Sequence, residues 1–135
     1  VMKKIFLLLF CIFTLISCGE ECYNAPQPVV FQFVDEDNKN LLTNGTLAPY
    51  AAKDENQKPV TLTPTEDGKL LLENVGAFNG TRNYTFTSAV RNFEFAIEAK
   101  EFNSGCTGYQ IKKITFTGIN IDVKDENGTY KIIIK

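Results

Sequence analysis

The chain contains no histidine and no tryptophan in 135 residues. Without histidine there is no Ser-His-Asp or Cys-His relay, no imidazole base and no His-containing zinc site. Catalysis, if any, falls to carboxylates, lysines, tyrosines or hydroxyls. The lack of tryptophan removes the commonest aromatic platform for sugars. Also missing is a basic excess: 14 Lys and Arg stand against 16 Asp and Glu. A nucleic-acid partner needs clustered cations to neutralise phosphates, so none is expected. No long window shows helical periodicity, although "LAPYAAKDENQK" has room for one short helical turn. No apolar run is long enough to span a bilayer. The longest, Ile5 to Ile16, falls short of the roughly 20 residues a spanning helix needs, and Glu20-Glu21 follow it instead of a basic stop-transfer cluster.

What is present begins at the N-terminus. Lys3 and Lys4, the apolar run and Ser17-Cys18-Gly19 have the layout of a secretory signal. Leu15-Ile16-Ser17-Cys18 resembles the lipobox of bacterial lipoproteins. That resemblance implies a diacylglycerol on the Cys18 thiol, cleavage before it, and palmitate-type chains on the new N-terminus. At about 0.8 kcal/mol per buried methylene, two or three such chains hold a protein on a membrane. Glu20-Glu21 resembles the acidic export signal of surface lipoproteins of the Bacteroidota. The implied location is the bacterial cell envelope, on the outer membrane, either surface-exposed or periplasmic.

Of the four cysteines, Cys11 would leave with the signal and Cys18 would carry lipid. Cys22 and Cys106 remain, and two thiols in an oxidising compartment read as one disulfide. It would close a loop of about 85 residues, for which chain entropy gives up to roughly 4–5 kcal/mol. Two free thiols are the alternative, since sequence does not show whether the Cβ atoms meet. The expected organisation is a signal over 1–17, a lipidated tether over 18–28 and a single domain over 29–135. Removal of the first 17 of 135 residues leaves 118, with 12 basic and 16 acidic side chains. That length suffices for one core.

From Val29 onward apolar residues alternate with polar ones, and turn clusters recur every ten residues or so. Val29-Phe31-Phe33, Leu70 to Leu72, Tyr84-Phe86, Phe93-Phe95-Ile97 and Tyr130-Ile132-Ile134 are each one face of a strand. Leu41-Leu42 precedes Asn44-Gly45, a tight-turn signal, and Asn127-Gly128 turns the last hairpin. The parity slips between Ile111 and Ile114, and again between Phe116 and Ile119 across Gly118. Each slip marks a bulge or a strand crossing between sheets. The expectation is an all-β, antiparallel sandwich of about seven strands, with a small barrel as the alternative. "VVFQFVDEDNKNLL" loosely resembles the first hairpin of transthyretin-like and immunoglobulin-like sandwiches.

The carboxylates cluster at Asp35-Glu36-Asp37, Asp54-Glu55, Glu66-Asp67 and Asp125-Glu126, each beside Asn, Gly or Lys. Solvated hairpin tips are expected there, not the facing pair that glycoside hydrolysis requires. Asp35-x-Asp37 opens like an EF-hand loop, but Lys39 stands at the third ligand position, so no metal site is assigned. Asn44, Asn79, Asn83 and Asn127 each begin an N-x-T sequon, read here as turn residues. "NVGAFNGTRNYTFT" is the least charged loop, and Phe78, Asn79, Arg82 and Tyr84 are its candidate recognition residues. Tyr50 and Tyr109 are further candidates for stacking on a glycan. No catalytic residue and no cofactor is assigned. The expected function is a lipid-anchored, non-catalytic binding or accessory module with an envelope protein or glycan as ligand. Its rivals are a loop-based inhibitor of a partner protein and a carboxylate-dependent hydrolase.

Overall fold

The computed structural model describes residues 28–102 and 108–135. The expected signal, the expected lipidation site Cys18, Glu20-Glu21, and both Cys22 and Cys106 lie outside the described residues. Nine strands follow: β1 Val29–Asp35, β2 Ala51–Asp54, β3 Thr61–Pro64, β4 Leu70–Glu73, β5 Gly80–Thr87, β6 Phe93–Phe102, β7 Gly108–Thr117, β8 Ile121–Glu126 and β9 Thr129–Ile134. One sheet has the order β3-β4-β1-β9-β8 and the other β2-β5-β6-β7. No ladder joins the two, so the molecule is the expected sandwich and not a barrel. Every pairing is antiparallel except β1 with β9, which is parallel. The first strand is therefore central, braced by the end of the chain.

Alternation explains the core. Phe31 and Phe33 of β1, Leu70 and Leu72 of β4 and Ile132 of β9 are fully buried against Phe86 and Ile97 of the facing sheet. The Phe31 ring is the hub, with centroids of Phe95 at 5.3 Å, Phe116 at 5.5 Å and Phe33 at 6.0 Å. Two of these are edge-to-face pairs, the geometry ring quadrupoles favour. Each such side chain gains about 1.5–3 kcal/mol on burial.

The strand count exceeds seven because β2 and β3 are four residues each. The stretch read as a helical turn contains β2, where only Ala52 faces inward. Leu41-Leu42, by contrast, belongs to no strand. The loop they begin caps the sandwich: Leu41 N–H donates to Phe33 O at 2.9 Å, Leu47 N–H donates to Leu41 O at 2.9 Å, and both leucines are buried.

Both parity slips have their expected causes. Glu98 pairs with Lys113 but Ala99 pairs with Ile111, so Lys112 is the extra residue of a bulge. Ile111 and Ile114 thereby both pack against the core while Lys112 and Lys113 stay exposed. At Gly118 the chain passes from one sheet to the other. A Cβ there would lie 2.8 Å from Phe93 Cβ, so only glycine fits the crossing.

Candidate functional site

The two long sides of the sandwich end differently. On one side the edge strands β2 and β3 are joined by a tight hairpin, with Asp54 N–H donating to Lys58 O and Val60 N–H to Ala52 O, each at 2.9 Å. On the other side β7 and β8 part company. β7 stands over β1 and β9, since the Phe116 ring lies 5.5 Å from Phe31 and 5.4 Å from Tyr130. β8 therefore extends beyond the upper sheet as a shelf. Its inward residues Ile121 and Val123 are only half-buried.

The shelf floors a groove of about 600 Å³, with Ile114, Phe116, Ile121, Val123 and Tyr130 as its apolar surface. Lys112 and Lys113 of β7 line one lip, Asp122 and Asp125 of β8 the other. Beyond Gly118 a second depression, about 630 Å³, is bounded by Val90, Arg91, Glu94 and Ile119. Ile119 is 79% exposed, the one large apolar side chain so exposed among the described residues. Sequence reasoning did not single it out. Its signal was an apolar residue between Gly118 and Asn120, inside a crossing too short to bury it.

The carboxylates of the β8 lip are already engaged. Lys135 Nζ lies 2.6 Å from Asp122 Oδ2, and that hydrogen bond and charge raise the lysine's pKa. Asp125 Oδ1 accepts Gly128 N–H at 3.0 Å. Burial pushes the Tyr130 phenol pKa up, and the nearby negative charge of Asp125 adds to it. The groove can hold an apolar extended ligand by burial and by edge hydrogen bonds.

The expected recognition loop is more tied down than its composition suggests. Asn79 Oδ1 accepts Glu101 N–H and its Nδ2 donates to Glu101 Oε2 at 3.3 Å. The Arg82 guanidinium lies 4.4 Å from the centroid of half-buried Phe78, a cation–π contact. Tyr84 is a core residue, not a surface one: it is buried, stacks on Phe95 at 5.1 Å, and its hydroxyl donates to Val75 O at 3.2 Å. Burial also raises its pKa. Phe78, Asn79 and Arg82 thus share one end of the molecule, while Tyr84 anchors that end from inside.

The carboxylate clusters are turn scaffolding. Asp35 Oδ1 accepts the N–H of Asp37 and of Lys39, both at 2.9 Å. Asp54 Oδ1 does the same for Asn56 at 2.8 Å and Lys58 at 2.9 Å. Among the described residues, no three Asp, Glu or Cys side chains converge as a metal site would require. Asn44 accepts Thr46 N–H at 3.0 Å, and Asn127 has φ 54° in the last hairpin, so these sequon asparagines serve turns. Tyr50 packs against the core cluster. Tyr109 is half-buried on β7.

Fold and site together define an all-β sandwich open along one side. No protein-family model matches the chain, and no curated protein or solved structure matches it either.

Proposed function

We propose that this protein is a lipid-anchored, non-catalytic binding module of the bacterial cell envelope, tethered through Cys18, that engages its ligand along the open β7–β8 side. The observation that carries the binding surface is Ile119, 79% exposed on the wall of one depression and one residue from Gly118, where the second, the β7–β8 groove, begins. Contiguous apolar surface rimmed by polar residues marks partner sites, so Ile119 counts together with half-buried Ile114, Phe116, Ile121, Val123 and Tyr130 of the groove across Gly118. The lipobox-like Leu15-Ile16-Ser17-Cys18 supports the anchor. The groove joins an aliphatic and aromatic floor to a polar rim of Lys112, Lys113, Thr115, Asp122 and Asp125, a combination that suits an extended peptide segment, with its apolar side chains and backbone amides, as the ligand.

The test is a photo-crosslinking amino acid placed at Ile119 of the full chain in a bacterium that processes lipoproteins. The same label goes at exposed Thr61 on the closed side, and at exposed Asn83 beside the tied-down loop. Expected are discrete adducts from position 119 only, and a membrane-fraction mass equal to Cys18–Lys135 plus acyl chains. Adducts from position 83 alone would favour the inhibitor reading. An unacylated mass would remove the anchor.

A further inference from the structure

We infer that two copies of this chain pair through β8, antiparallel, with Val123 on the two-fold axis opposite its own counterpart.

The four sheet edges are not equally protected. β2 and β3 are four residues each, and β3 ends in Pro64. β7 carries the Lys112 bulge and exposes Lys112 and Lys113. Shortness, proline, bulges and edge lysines are the devices by which sheets refuse further strands. β8 has none of the first three: Ile121–Glu126 is six residues in regular register with β9.

The free side of β8 is defined by its hydrogen-bond parity. Lys135 N–H donates to Asn120 O at 3.0 Å, so the even-numbered residues direct their backbone groups to β9. Ile121, Val123 and Asp125 then present N–H and C=O outward. An antiparallel copy centred on Val123 would satisfy them with about six backbone hydrogen bonds. In that register Asp122 faces Lys124 of the other copy, and Lys124 faces Asp122. The neighbouring registers allowed by the same parity centre on Asp122 or on Lys124, and set like charge against like. Of the three, only the Val123 register sets the strand's unlike charges, Asp122 and Lys124, against each other, with Ile121 opposite Asp125 of the other copy. Asp122, already 2.6 Å from Lys135, becomes a carboxylate between two lysines.

Pairing would make one ten-stranded sheet with both upper sheets on the same face. Because each β7 stands over its own β9, the gap between the two β7 edges spans three strand spacings, about 14 Å. The two grooves merge into a trough floored by Ile121, Val123 and Tyr130 of both copies, as wide as two extended strands. That this trough is the ligand surface rests on the function proposed above, whereas the pairing stands without it.

The experiment is cysteine crosslinking of the full chain in native membranes. Val123→Cys places two thiols on Cα atoms about 5.5 Å apart, within disulfide reach, whereas Asp122→Cys faces a lysine. Mild oxidation should give a dimer band for Val123→Cys well above wild type and Asp122→Cys. Adding Lys124→Asp should cut its yield roughly tenfold or more, since two attractive pairs become repulsive. Exchanging the charges, Asp122→Lys with Lys124→Asp, should restore it. Equal yields from positions 122 and 123, no dimer at all, or no rescue by the exchange would each overturn the pairing. None of these outcomes alters the Ile119 adducts that test the binding reading separately.

Discussion

Gly118 is the residue on which the open side depends. A methyl group there would meet Phe93 Cβ at 2.8 Å and Ile121 Cδ1 at 3.0 Å; the isoleucine tip can turn toward the groove, but Phe93 Cβ is fixed to its strand. Gly118→Ala should cost about 1–3 kcal/mol in urea unfolding, the usual range for overpacking. Gly128→Ala meets open space and loses only the ease of φ 90°, so it should cost less. Tyr84 and Tyr130 make a second residue-scale prediction. Burial raises both phenol pKa values above the ordinary tyrosine value of about 10. A raised pKa in the folded state contributes stability that is complete below the unfolded pKa and is lost as pH rises through the folded one. The protein should therefore weaken above about pH 10, with the ionisation of Tyr84 and Tyr130 displaced upward in an absorbance titration. Tyr84→Phe should remove one late titration and, through the lost bond to Val75 O, about 1 kcal/mol at neutral pH. Tyr84 shows how legible single residues were. Its place in the Tyr84-Phe86 alternation was correct, and its place in a recognition loop was not, because an apolar neighbourhood in sequence looks the same whether it faces solvent or core.

Three of the hairpin turns are one device used repeatedly. "DEDNK", "DENQK" and "TEDGK" each put their fourth residue in left-handed backbone: Asn38 at φ 63°, Gln57 at 66° and Gly68 at 77°. In each, the first residue's side-chain oxygen holds the N–H of the fifth. Asp35→Ala should cost about 1 kcal/mol by freeing two donors, while Glu36→Ala should stay within about 0.5 kcal/mol. Glutamine is poorly suited to positive φ, so Gln57→Gly should stabilise by roughly half a kcal/mol after glycine's entropy is counted. Thermal melts of the three variants check this order. These turns were legible because their chemistry is local. The bulge at Lys112 was legible for the same reason, as a parity slip between Ile111 and Ile114. β2 was not, since a strand with one inward alanine carries almost no period-two signal. Nor was the parallel β1–β9 pairing, which joins residues about a hundred positions apart and leaves no mark on either segment alone.

At the scale of the molecule the facing sheets fix where the tether would attach. Phe31 packs on Phe95 and Phe33 on Phe93, so β1 and β6 run in opposite directions. The start of β1, the end of β6 and the start of β7 therefore share one end of the sandwich, where Asn79 also meets Glu101. Cys22 precedes Val29 by seven residues, and Cys106 stands between Phe102 and Gly108. Seven residues reach up to about 24 Å, so a Cys22–Cys106 bond would require no rearrangement of the described strands. Such a bond would tie the tether to the end that carries Phe78 and Arg82, and leave the β7–β8 side free along its length. The expected result is an intact mass that rises by two hydrogens on reduction. With it should come a fall in unfolding free energy of up to about 4 kcal/mol. Cys22→Ala and Cys106→Ala should each reproduce that fall, and the double variant should add nothing, because one crosslink can be lost only once. Unchanged mass and midpoint would mean that the aromatic core holds the domain unaided, and that residues 18–28 join the proposed anchor to the domain with no crosslink at Cys22.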